Sequence, residues 1–207
     1  IAQAGREHPY EGVDTKRSAF WVRVMQTMGV ETLLGSNASG ILTPKTLQVP
    51  ALMLMHSHLD FGSDGPLVGP NVDSFGPRFP HMGDHYPRDT RELIKKVAAR
   101  EGIPLSEGTY LRMKGPNYES RETVYWLRSI LRGMWNEAQE QPGEDEFRYD
   151  PAIGDPVGVV GMSSTFENEV AQQASQAGLA PQMSAFRRGR AWVSVATNYA
   201  NGLTEKG

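Results

Sequence analysis

Cysteine is absent from all 207 residues, which excludes disulfides, thiolate nucleophiles and thiolate zinc sites together. Long apolar runs are lacking too. The longest, Val49 to Met55, contains a proline and falls far short of the roughly 20 residues of a membrane span. Charge of one sign is not in excess: 21 Lys and Arg against 24 Asp and Glu leave a net charge of −3. Such a balance does not suit a polybasic nucleic-acid platform or an acidic disordered tail. Hydrophobic residues at 39% and charged residues at 22% describe an ordinary globule, and the length suits one domain. No repeat, low-complexity tract or secretory leader is visible. The opening Ile1-Ala2-Gln3-Ala4-Gly5, without Met, reads as a chain entered part-way. The expectation is a cytoplasmic protein with no nucleic-acid or membrane partner.

Short apolar runs alternate with helical patterns, the signature of an α/β domain. Trp21, Val24, Met25 and Met28 share a helical face, with Gly29 as the stop. Val30 to Leu34 reads as a strand that ends in a small polar turn over 35–40. Ala51 to Met55 reads as a strand covered on both faces. Asp60 to Arg88 is rich in Gly, Pro, Asp and His and has no period; a stretch this long is usually functional. Asp89-x-x-Glu92 suggests a helix start, with Leu93, Ile94, Val97 and Ala98 as its buried stripe and Gly102 as its end.

Glu107 to Met113 reads as a strand, and Val124, Leu127, Leu131, Met134, Trp135 and Ala138 keep helical spacing. Gln139 to Pro156 is expected to be an exposed loop. Val157 to Val160 is a short buried strand leading into Gly161. Ser164-x-x-Glu167 is a capping box for another helix, and Ala191 to Ala196 a last strand with Thr197-Asn198 at its carboxyl end. Ligands gather beyond the carboxyl ends of strands in open α/β sheets, and three polar clusters fall there: Asn37 to Gly40, Gly115 to Glu119, and Thr197-Asn198.

Several residues could carry chemistry. Arg6 and His8 lie on one side of an extended segment. They pair a phosphate-matched fork with a group able to donate or relay a proton. Residues 36–40 could form an anion nest or a plain strand-exit turn. Met162-Ser163-Ser164 could cap a helix or hold phosphate at its N-terminus. Tyr118 beside Glu119 could stack on a sugar or base while the carboxylate accepts N–H bonds from a heterocycle. Equally, Glu119 could simply complement a helix dipole. Asn198 can donate and accept together, which suits a base edge with a carbonyl and a ring nitrogen. His56, His58, His81 and His85 have spacings of two and four, but no carboxylate-rich ligand set accompanies them, so no metal is expected.

Taken in order, nine segments resemble the trimeric-type purine nucleoside phosphorylases. They are Gly5 to Gly12, Ser36 to Gly40, His58, Gly69-Pro70-Asn71, Phe75 to Pro80, Glu107 to Tyr110, Gly115 to Glu119, Gly161-Met162-Ser163 and Thr197-Asn198. The resemblance implies a single domain over 1–207 with a mixed central β-sheet flanked by helices. It also implies a homotrimer, and phosphorolysis of 6-oxopurine nucleosides such as inosine and guanosine to free base and ribose 1-phosphate. Inorganic phosphate would be the co-substrate, and no metal or organic cofactor would be used.

By position, Arg6, His8, Ala38 and Ser163 would hold phosphate. Tyr10, Tyr118 and Met162 would line the ribose, with Phe79 reaching over from a neighbouring subunit. Glu119 and Asn198 would grip the base, and Asn198, Glu119 and His8 would be the catalytic residues. The related methylthioadenosine phosphorylases are similar but use Asp where this chain has Asn198, so Asn198 implies a 6-oxo rather than a 6-amino purine. The resemblance also places a first phosphate loop before Ile1 and a ribose-contacting helix after Gly207, and Glu7 is expected to bring negative charge beside phosphate. A chain that keeps the fold and a purine pocket without turnover, as a binding or structural protein, is the alternative.

Overall fold

Side chains alternate along a strand, and this alternation sorts the apolar residues of the chain onto two faces. The computed structural model describes residues 1, 5, 7–43, 45, 47, 51–61, 65–82, 85–140, 157–161 and 191–198, with 138–140 and 191–198 described by backbone alone. Its strands are β1 (Thr32–Ile41), β2 (Ala51–Asp60), β3 (Leu105–Arg112), β4 (Gly158–Gly161) and β5 (Ala191–Asn198). Its helices are α1 (Thr15–Ser18), α2 (Phe20–Thr27), α3 (Arg88–Arg100) and α4 (Arg121–Glu140).

The sheet is mixed, as expected, but it is closed rather than open, in the order β1-β4-β3-β2-β5. Closure comes from the length of β1. Thr32 to Ser39 pair in parallel with β5, while Gly40 and Ile41 pair antiparallel with Val160 and Val159 of β4. The expected polar turn at 35–40 is therefore corrected: this segment is strand. Asn37 and Ser39 continue the inward alternation begun by Leu33. Partners on both sides satisfy the backbone, so tertiary pairing overrides the weak strand propensity of Gly, Ser and Asn.

One apolar cluster joins Met53 and Met55 of β2, Tyr110 of β3 and Val157 and Val159 at β4 to Val22 of α2. The other face joins Leu111 and Val160 to Val124, Leu127 and Leu131 of α4. Here Gly158 permits close approach, since a Cβ at that position would sit 2.2 Å from a Leu131 methyl. On α2, Trp21, Val22 and Met25 turn inward, whereas Val24 and Met28, expected inside, are exposed.

Helix α3 is capped at Pro87, two residues before the expected cap Asp89 and without the capping box, and it stops at Gly102 in the left-handed region. Leu93 and Val97 are exposed, which corrects the expected stripe. The reason is electrostatic. Glu107 of β3 is buried and ion-paired to Arg91 and to Lys95, the latter at 3.0 Å. A buried carboxylate needs such partners, and turning 91 and 95 inward carries 93 and 97 out. Strand β2 runs on to Asp60, with a register shift at His56. Helix α4 takes in Gln139 and Glu140, so the expected loop begins later. Its remainder, and the expected helix at Ser164, lie outside the described residues.

Candidate active site

Strand pairing brings three of the expected ligand segments to one place. Ala38 pairs with Thr197, Ser39 with Asn198, and Asn198 with Ala51 on its other side. Gly40 pairs with Val160, so Gly161, which leads to Met162 and Ser163, lies against the same stretch of β1. Across the sheet Gly161 pairs with Arg112 at the end of β3, from which the loop to Glu119 departs. Arg6, Met162 and Ser163 lie outside the described residues, and Asn198 is placed by its backbone.

The root of the Glu119 loop is pinned by charge. Arg112, only 1% exposed, donates to Asp60 at 2.9 Å; the two are direct neighbours across β2 and β3. The backbone N–H of Phe61 donates to the Arg112 carbonyl at 3.1 Å, and that of Met113 to Gly161 at 3.0 Å. Beyond that root, Glu119 is half-buried. Among the described residues its Oε1 is buried without a hydrogen-bond partner. Burial raises its pKa above the usual carboxylate value, partly offset by a backbone hydrogen bond. A desolvated acceptor lacking a donor costs free energy unless a ligand supplies one.

The expected aromatic groups are open to solvent: Phe79 is 86% exposed, Tyr118 74% and Tyr10 43%. His8 stacks on Tyr10 with ring centroids 4.9 Å apart. Its backbone N–H donates to Glu11 Oε2 at 2.7 Å, and its Nδ1 lies 3.4 Å from the same oxygen. Glu7, expected to place negative charge beside phosphate, instead accepts from Arg17 Nε at 2.9 Å and Nη2 at 2.6 Å on α1. Replacing Glu7 with Gln should change phosphate affinity by less than about twofold, because Arg17 already offsets the Glu7 charge and an exposed pair contributes little; a titration of phosphate into both proteins checks this.

Of the histidines grouped by the sequence, His81 is exposed. His58 and His85 pack edge-on against Tyr86, whose hydroxyl lies 3.1 Å from His58 Nδ1. Sequence reasoning missed the roles of Asn37, Tyr110 and Arg112. The first two lie inside segments already singled out, Ser36 to Gly40 and Glu107 to Tyr110, and only their pairing across the sheet reveals them.

A sequence model of the phosphorylase superfamily matches residues 10–185. The chain belongs to that superfamily. Within it the chain is 39% identical to purine nucleoside phosphorylase 1 of Bacillus subtilis over 130 residues, covering 63% of this chain and 48% of the relative. To the bovine purine nucleoside phosphorylase it is 39% identical over 135 residues, covering 63% and 46%. The chain thus spans about half the length of these curated relatives. Among solved structures it superposes on Schistosoma mansoni purine nucleoside phosphorylase in complex with inosine with a TM-score of 0.71 at 26% identity, covering 98% of this chain and 62% of that one. The adenosine complex from the same organism gives 0.69 at 28% identity, covering 93% and 57%. In a phosphorylase fold, the strand segments carrying Ala38, Gly161 and Asn198, with the loop that leaves β3 toward Glu119, make up the candidate active site.

Proposed function

We propose that this chain is a purine nucleoside phosphorylase, cleaving the N-glycosidic bond of inosine- or guanosine-type nucleosides with phosphate. The observation that carries the reading is the buried Oε1 of Glu119, on the loop after β3, which has no hydrogen-bond partner among the described residues. An acceptor held there matches the ring N–H of a 6-oxopurine. The relatives' names and the inosine-bound neighbour support the same class of substrate.

The chemistry follows from charge. As the C1′–N9 bond stretches, the sugar becomes cationic and the departing purine gains negative charge. Glu119 holds the base, and the Asn198 amide stabilises charge developing at N7 and O6, where it counts most toward the rate. Phosphate, held by Arg6, His8, Ala38 and Ser163, steadies the cation and then forms the new bond to C1′. Its positioning removes much of the entropic barrier. The electron pair of the broken bond leaves with the purine, which takes up a proton. Tyr10, Tyr118 and Met162 line the ribose, and the exposed Phe79 ring suits a reach into a neighbouring subunit of a trimer. Neither metal nor organic cofactor enters these steps. Among the described residues no helix is long and apolar enough to cross a membrane.

Incubation with inosine should release hypoxanthine only when phosphate is present. Binding of inosine without release would instead identify a purine-binding protein and end the phosphorylase reading, as would the absence of both binding and release. Replacing Asn198 with Asp should move the inosine-to-adenosine preference toward adenosine by about tenfold, the size of one mismatched buried polar contact. An unchanged ratio would remove Asn198 from the base site.

A further inference from the structure

Tyr110 is fully buried in the apolar cluster between β2, β3 and β4, yet its hydroxyl does not point at carbon. Asn37 Nδ2 of β1 donates to that hydroxyl at 3.2 Å and to Ser39 Oγ at 3.1 Å. The same hydroxyl occupies the space a side chain would need at Gly161. A Cβ there would meet it at 2.4 Å and the Ala38 carbonyl at 3.4 Å. One phenol therefore touches the strand that carries Ala38 and the strand whose next residues are Met162 and Ser163. Ser39, at the far end of the network, pairs with Asn198.

A residue present only to fill the core would not need this hydroxyl. Phe has nearly the same shape, and a buried hydroxyl costs free energy unless it is hydrogen-bonded. Here the bond goes to the side chain that sits between Ser36 and Ala38 on the phosphate strand. We infer that Tyr110 is a positioning residue, acting through Asn37 to hold the Ala38 segment against the exit of β4 and so to set the phosphate end of the site. This inference rests on the phosphorylase reading. It differs from the substrate contacts proposed above, because Tyr110 works on the protein side of the strand crossing.

The test compares the full chain with Tyr110→Phe, using calorimetric titration of inorganic phosphate alongside initial rates with inosine. Loss of one hydrogen bond that orients a ligand should weaken phosphate affinity and raise the phosphate KM by about fivefold. The inosine KM should stay within about twofold, a split that a general loosening of the core would not produce. Asn37→Ala, which also loses the bond to Ser39, should show at least the same phosphate defect, and the double variant should be no worse than Asn37→Ala alone, since the Tyr110 link is already broken there. Equal phosphate affinity in wild type and Tyr110→Phe would overturn the inference and leave the phosphorylase reading intact. So would equal losses for phosphate and inosine. Phosphate binding by the wild type without turnover of inosine would end the phosphorylase reading, while the Tyr110→Phe affinity would still decide this one. A wild type that binds no phosphate would overturn both.

Discussion

Replacing Glu119 with Gln should lower kcat/KM for inosine by about 10²-fold, the cost of losing a charge-assisted hydrogen bond to the purine N–H and setting a donor against it. The substitution keeps the shape but exchanges an acceptor-only carboxylate for an amide that presents a donor to the purine N–H. Folding should barely notice, because Oε1 has no hydrogen-bond partner among the described residues to lose. Thermal midpoints of the two proteins should therefore agree within a few degrees, separating a site effect from unfolding. The wild-type pH profile carries the same signature. Burial raises the Glu119 pKa, so the acceptor is protonated, and the rate falls, at a higher pH than for an ordinary carboxylate. A Gln variant with rates within threefold of wild type would move the base site elsewhere in the fold.

Acid should unfold this protein well before its carboxylates titrate fully. His56 and His58 are held at a pKa of about 4, mainly by burial, with the Arg91 charge adding to the effect at His56 and the Asp60 charge opposing it at His58. His85 is lowered as well, by burial and by its neighbour His58. In each case the unfolded chain binds a proton, near 6.5, that the folded chain refuses. Stability is therefore full above that value and falls as the pH drops through it toward 4. Between pH 7 and pH 5 the loss should be about 2 kcal/mol for each of His56 and His58. Urea midpoints measured at the two pH values check this. His56→Gln, which removes one titrating ring beside Thr109, should cut the pH dependence by one proton. Equal midpoints at pH 7 and pH 5 would mean that these imidazoles are solvated.

The elements most legible in the sequence were those whose stability is local or whose burial is complete. Gly102 closing α3, the all-apolar start of β2 and the long stripe of α4 follow from patterns a few residues wide. The errors share a cause. Residues 36–40 look like a turn because Gly, Ser and Asn are poor strand formers, yet β5 and β4 take up their backbone groups and Tyr110 caps Asn37. Leu93 and Val97 look buried because they are apolar, but Glu107, far away in sequence, sets which face of α3 turns inward. Glu7 is read from the sequence as a lone negative charge, whereas in the structure Arg17 of α1 is paired with it.

The superfamily was written in the sequence alone, because specific residues in a fixed order can be read in a line whatever the chain does between them. Which of those residues meet one another was decided only in three dimensions. Closing the sheet sets Ala38 beside Thr197, Gly161 beside Arg112 and Tyr110 against Asn37. No pattern in one dimension encodes such neighbours, since they are chosen by pairing and charge between segments tens of residues apart.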